Sequence, residues 1–273
     1  MLIKIGLKDI PALTFAGLRY GLAFVCLLPF SLHLFRGTSS LRLSRADWAR
    51  LLLLGLLFYA VTQGAQFVGL FYLPAITVSL LLNFTSILVA LLGMVFLSER
   101  PTRLQWAGTG LFLIGTLIYF YPIDFPTSEI IGLIIVIGGV VANALSSVLG
   151  RHINRRGNIH ALTVTTISMG FGSIVLLGSG FTIQSMPHIS LSAWAIVGWL
   201  AVVNTAIAFT MWNHTLRTLS AMESSIINST MLVQIALLAW LFLGESISWQ
   251  KGTGLLFAAL GALIVQFRGT RRE

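Results

Sequence analysis

Residues 88–120 read LVALLGMVFLSERPTRLQWAGTGLFLIGTLIYF, and residues 234–266 read QIALLAWLFLGESISWQKGTGLLFAALGALIVQ. An offset of 146 aligns the two without a gap. Phe96, Leu97 and Glu99 fall on Phe242, Leu243 and Glu245, while Gly108 and Gly115 fall on Gly254 and Gly261. Upstream, Ala75 and Ser79 meet Ala221 and Ser225 at the same offset. Each copy is an apolar span, a short polar turn carrying one glutamate, and a second apolar span marked by small residues. A duplicated hydrophobic unit within one chain is the pattern of transporters built from internal repeats.

The composition agrees. Charged residues make up 9% of the chain, hydrophobic residues 56%, and the mean hydropathy is +0.92, against roughly 25% charged residues in a globular domain. Spans of about 20 residues cross the hydrocarbon core, so 273 residues of this density accommodate nine or ten helices rather than two soluble domains. The formal charge of +9 would suggest nucleic acid in a soluble protein, but the basic residues sit in short loops between apolar runs, which excludes that reading. Cys26 is the sole cysteine, so neither an intrachain disulfide nor a cysteine metal cluster can form.

In a ten-helix plan, helix two is expected over Ala12 to Phe35, helix three over Trp48 to Phe71, helix four over Pro74 to Leu97 and helix five over Leu104 to Tyr121. The second half supplies Ile130 to Gly150, Ile159 to Ile183, Leu191 to Asn213, Ala221 to Leu243 and Trp249 to Phe267. The fold class is thus all-α, a polytopic membrane protein with an inverted repeat of five-helix units. The first repeat is expected over residues 1–121, an external linker over 122–128, the second repeat over 129–267 and a cytoplasmic tail over 268–273. The partner of the span Ile130 to Gly150 would fall upstream of Met1. PALT at Pro11 to Thr14 resembles HALT at His160 to Thr163, so the chain is expected to lack most of helix one, leaving nine full helices.

Thirteen basic residues lie on one set of alternate loops: Arg36, Arg42, Arg45, Arg50, Arg100, Arg103, Arg151, Arg155, Arg156, Arg217, Arg268, Arg271 and Arg272. The opposite set holds only Lys4, Lys8 and Lys251. Positive loops stay in the cytoplasm, which places the C-terminus inside and Met1 outside; the membrane is expected to be the plasma membrane. An odd number of helices per repeat makes the two copies cross in opposite directions, with Glu99 at the cytoplasmic face and Glu245 at the external one.

The pair LSE at Leu97 to Glu99 and LGE at Leu243 to Glu245, each followed by a polar turn and a glycine-marked span, resembles the EamA-type repeat of the drug/metabolite transporter superfamily. So do Arg19 in AGLRYGLAF and the run WNHTLRTLSAMESSI. The resemblance implies ten helices, a central cavity between the repeats, and export of amino acids, other small metabolites or drugs. Where the family often has a proline before the glutamate motif, this chain has Ser86 and Leu232, and straighter helices are expected there.

Polar side chains inside a bilayer face the bundle or a cavity. Tyr59, Thr62, Gln63 and Gln66 recur at i, i+3, i+4 and i+7, one face of a helix, and Ser79, Asn83 and Ser86 follow the same kind of spacing. Their counterparts in the second half include Thr205, Phe209, Trp212, Ser225 and Ser229, with Asn143, Ser146, Ser147, Asn204 and Asn228 as further cavity candidates. For each Ser, Thr or Asn the competing role is interhelical hydrogen bonding.

Two residues are candidates for coupling or gating. Arg19 lies inside a span between Gly17 and Gly21, a small-xxx-small pair that lets another backbone approach. It either gates and supports the bundle or meets a substrate carboxylate. Glu223 is the carboxylate farthest inside a span, and Ser220 has capping-box spacing to it. Glu99 and Glu245 read as turn and interface residues.

The function class is a secondary transporter working by alternating access. A P-loop, HExxH, GxSxG and a pair of intramembrane aspartates are missing from the sequence, so no cofactor or catalysis is expected. A non-transporting scaffold or receptor is the alternative, and an intramembrane enzyme the remote one. The expected partners are the lipid bilayer and a small-molecule substrate, not nucleic acid, with a homodimer left open.

Overall fold

Two pairs of antiparallel helices organise the chain. The computed structural model describes residues 2–37, 43–96, 102–121, 127–157, 159–184, 189–219, 231–244 and 247–266. In order these form α1 (Leu2–Gly6), α2 (Ala12–Gly37), α3 (Arg45–Leu54), a π-helical segment π1 (Gly55–Thr62), α4 (Gln63–Tyr72), α5 (Ala75–Asn83) and α6 (Thr85–Phe96). Then come α7 (Arg103–Phe120), α8 (Thr127–Arg155), α9 (Ala161–Ile183), α10 (Leu191–Ala201), a second π-helical segment π2 (Val202–Ile207), α11 (Ala208–Thr215), α12 (Met231–Leu243) and α13 (Trp249–Gln266). No strand occurs among the described residues.

Six stretches are long and apolar enough to cross a membrane: Ala12–His33, Arg45–Tyr72, Ala75–Phe96, Glu129–Arg155, Ala161–Ile183 and Leu191–Thr215. Helices α7 and α13 add 18 residues each. The outward faces of these eight stretches carry Val95, Leu117, Ile134, Ile174, Trp199 and Leu256 among others, as a lipid-facing surface requires. Cys26 is among the outward-facing residues.

Helix starts are set by polar caps. Ser44 Oγ accepts the Asp47 N–H at 3.1 Å and Asp47 Oδ2 accepts the Ser44 N–H at 3.2 Å, a reciprocal box that begins α3 three residues before Trp48. Thr102 and Gln105 do the same for α7. At the other end of α12, Gly244 takes φ +66°, the left-handed conformation that glycine supplies without a Cβ penalty.

The most extensive contact joins α7 to α13. Ideal Cβ atoms on Gly115 and Gly261 would collide with the Ala258 and Phe112 backbones, and one on Gly254 would lie 2.7 Å from Gly115 O. Gly115 therefore meets Gly254 and Gly108 meets Gly261, so the helices run antiparallel, and the 146-residue offset exchanges one contact for the other. The second pair is α2 with α9. A Cβ on Gly17 would lie 2.8 Å from Leu177 N, and one on Gly180 2.9 Å from Thr14 N. The close approach expected of Gly17 is thus made by α9, whose Gly172 also seats against π1 at Tyr59.

Two buried clusters follow from these pairs. One gathers Phe15, Tyr20, Tyr59, Phe67, Met169 and Leu200 around α2 and α9. The other gathers Val78, Leu80, Phe112, Tyr119, Val136, Ala239 and Ala258 around α7 and α13.

Helix four differs from expectation. It is interrupted at Phe84, whose N–H reaches Leu81 O at 3.0 Å, the tighter i−3 pattern. The cause is local: Asn83 Nδ2 donates to Ser79 O at 2.7 Å, competing with the backbone ladder. The matching part of helix nine lies outside the described residues.

Gly115→Ala and Gly261→Ala are expected to lower stability by about 1–3 kcal/mol through overpacking, whereas Gly110→Ala and Gly138→Ala, with no neighbour within 4 Å of the new methyl, leave it unchanged or improved. Thermal unfolding of the four variants in detergent checks the contrast.

Candidate functional site

A buried polar and aromatic cluster straddles the two halves around Arg19. This residue is carried by α2 and is 6% exposed. Its Nε donates to Thr205 Oγ1 at 2.7 Å and its Nη2 to Asn204 O at 3.3 Å, both on π2. The guanidinium lies 5.2 Å from the Tyr20 ring centre and 5.8 Å from that of Phe67, within the range of cation–π attraction. Among the described residues no carboxylate is within ion-pair distance; the one salt bridge there is Arg50 to Asp47 at 3.2 Å.

Tyr20 extends the cluster. Its hydroxyl donates to Gln63 Oε1 at 2.7 Å, and its ring meets Tyr59 and Phe209 edge-on at 5.6 and 6.0 Å. Phe58 joins Tyr59 and Phe209 at 5.0 and 5.3 Å. The Tyr59 hydroxyl is fully buried, with Ser168 and Asn213 as its polar neighbours but no hydrogen bond of good geometry to either.

Both halves bring a π-helical turn to this cluster. Thr62 Oγ1 donates to Leu57 O at 2.8 Å, and Thr205 Oγ1 donates to Leu200 O at 2.8 Å. Each hydroxyl reaches a carbonyl five residues back, the spacing of the widened helix itself. At the 146-residue offset, π1 falls on π2. Short π segments inside α-helices concentrate at functional sites.

The sequence candidates divide. Tyr59, Gln63 and Phe209 are brought together with Arg19, Tyr20 and Thr205. Thr62 is 2% exposed and serves its own helix, while Gln66 and Trp212 are half-buried. Asn204 contributes its carbonyl, because its side chain faces outward. A second polar locus lies where α5, α6 and α8 meet. There Asn83 bonds Ser79 O, its Oδ1 is buried without a partner, and Asn143 Nδ2 donates to Thr85 Oγ1 at 3.2 Å. Ser225, Asn228 and Glu223 lie outside the described residues, as do Glu99 and Glu245.

Sequence reasoning missed Tyr20, although it stands next to Arg19. It also missed a buried chain that ties α8, α9 and α11. In that chain Asn154 Nδ2 donates to Asn213 Oδ1 at 2.9 Å, and Asn213 Nδ2 donates to Thr165 Oγ1 at 2.9 Å. Nearby, Arg151 Nη1 holds Leu216 O at 2.6 Å and Arg217 Nη2 holds Ile159 O at 3.0 Å. The signal was present: Asn154 and Asn213 both fall on apolar helices just before basic residues, where an amide must find a partner.

Chemically, the cluster offers one permanent positive charge, an amide, hydroxyls and aromatic faces. No group of three or more metal-ligating side chains occurs among the described residues. Such a set can bind and orient a small solute, and it holds no nucleophile–base pair.

Residues 1–121 and 130–267 match the profile of the EamA-like transporter family. The uncharacterized transporter YyaM of Bacillus subtilis is 25% identical, over 92% of this chain and 80% of its own length. The uncharacterized transporter YoaV of the same organism is 23% identical, over 99% and 92%. A solved crystal structure superposes with a TM-score of 0.75 at 18% identity, covering 96% of this chain and 90% of that one, which shows a shared fold.

Tyr20→Phe leaves the buried Gln63 carbonyl without its donor and is expected to cost about 1–3 kcal/mol. Combined with Gln63→Leu the loss should be less than additive, as a double-mutant cycle on thermal unfolding will read.

Proposed function

The chain belongs to the EamA-like transporter family, as an integral membrane transporter and not an enzyme, and we propose that it is a secondary exporter of amino acids or similar small metabolites. The observation that carries this reading is the Arg19 cluster. It is a polar centre built from α2, π1 and α4 of the first half and π2 and α11 of the second, seated on the antiparallel α2–α9 pair. A solute bound there touches both halves at once, so a rocking of one half against the other changes which membrane face reaches it.

Two features support alternating access. Equivalent helices meet antiparallel across exchangeable glycine contacts in α7 and α13. The π segments occur at equivalent positions. Among the described residues Arg19 is the charged group of the cluster, and the other walls are amides, hydroxyls and aromatic faces, which suits a small polar solute with an apolar part. The arginine-rich alternate loops favour a plasma-membrane protein with its C-terminus in the cytoplasm, in contact with lipid and its small-molecule substrate and without nucleic acid. A homodimer is compatible with the outward-facing apolar helix faces.

The test is solute efflux from cells or proteoliposomes containing the full chain, across a broad metabolite panel. Transport above empty vesicles is expected for some small polar solutes, and none across the panel would sink the proposal. Gln63→Leu combined with Gln66→Leu is expected to reduce transport about tenfold or more, the equivalent of one lost polar contact of roughly 1.4 kcal/mol, with membrane insertion retained.

A further inference from the structure

Arg19 raises a question that its structural contacts leave unanswered. A guanidinium has five N–H donors, and two of them are engaged, one by Thr205 Oγ1 and one by Asn204 O. Both acceptors are neutral. The residue is 6% exposed, it lies within a predicted span, and among the described residues no carboxylate approaches within salt-bridge distance. A charge held in apolar surroundings with neutral partners alone is costly and marks function by default. A latch between α2 and π2 would need only a neutral donor, which an amide supplies without that cost.

We infer that Arg19 is the docking point for a carboxylate on the transported solute, with Thr205 and Asn204 holding the guanidinium in place between loads. The inference rests on the transporter reading above and names the chemical class of its substrate. The guanidinium fork matches a carboxylate with two parallel N–H···O bonds. The Tyr20 and Phe67 rings, at 5.2 and 5.8 Å from the guanidinium carbon, orient its plane. Tyr59, Phe58 and Phe209 form a neighbouring aromatic group that would take the apolar part of the solute. The conformation described here is closed over this site: Thr205 is fully buried, so loading requires π2 to move away from α2. The Thr205 contact would then be exchanged for the solute's oxygen.

The test uses the full chain in proteoliposomes and four probes sharing one isobutyl group: leucine, 4-methylpentanoate, leucinamide and isoamylamine. Competition by each probe against the best solute from the efflux panel is measured for wild type, Arg19→Lys, Arg19→Gln, Thr205→Ala and Glu223→Gln. The two carboxylates are expected to compete about tenfold or more better than the amide and amine in wild type, the size of one charge-assisted pair. Arg19→Gln should abolish that preference, Arg19→Lys should weaken it, and Thr205→Ala should keep it because the guanidinium remains.

Equal competition by carboxylates and their amides overturns the inference, as does an Arg19→Gln protein that retains the preference. If Arg19→Gln and Thr205→Ala behave alike, with transport reduced and preference unchanged, Arg19 is a latch only. If Glu223→Gln reproduces Arg19→Gln, the counter-ion is internal and the inference also fails. Transport by wild type confined to solutes without an acidic group refutes the inference while leaving the transporter reading intact, whereas absence of any transport refutes that reading itself.

Discussion

The architecture depends on backbone-to-backbone contact at glycine. Inside a bilayer, apolar side chains gain little by leaving lipid, so helices associate through close packing and interhelical hydrogen bonds. Gly115 with Gly254, Gly108 with Gly261, Gly17 with Leu177 and Gly180 with Thr14 bring two helix pairs within reach of that packing. The remaining helices build on them. Helix α9 holds α2 on one side and π1 on the other, so the position of the Arg19 cluster is inherited from the glycines of α9. The cost of burying that charge is met in part by neutral oxygens that π2 presents at the right place.

Most of the helix plan was legible, because apolar length is a direct physical requirement of the membrane. The repeated pattern, the close approach at Gly17 and the position of Arg19 inside a span could all be read from residue type and spacing. The ends were less accurate: α3 begins at a Ser44–Asp47 box that carries no apolar signal, and α8 runs on to Arg155, past the end expected at Gly150. The straight helix expected before Leu97 fails at Asn83, whose side chain bonds the carbonyl one turn back. That competition depends on a rotamer, which the sequence does not specify.

The site was harder to read for a specific reason. The stripe Tyr59, Thr62, Gln63 and Gln66 was assembled on an α-helical period, yet Tyr59 and Thr62 sit in π1 and the two glutamines in α4. A π turn carries more residues than an α turn, so a stripe drawn on the α-helical period does not keep all of its positions on one face. Tyr59 and Gln63 both meet Tyr20, whereas Thr62 serves its own backbone and Gln66 is only half-buried. Asn204 shows the same effect on π2, where its side chain turns outward and its carbonyl inward. Neither π segment carries a residue pattern that distinguishes it from an ordinary apolar helix.

Where both copies are described, they correspond in their π segments and their glycine contacts but not in charge. At the spacing that aligns PALT with HALT, Arg19 falls on Ser168, and a serine that bonds its own helix stands where the first half places a cation. Exchanging the two halves would therefore preserve shape without preserving electrostatic energy. In an alternating cycle built on this frame, the two access states are unequal partners. Under the cycle proposed above, the state with the Arg19–Thr205 bond intact would be the resting state, and the empty carrier would return to a preferred side of the membrane before it loads again.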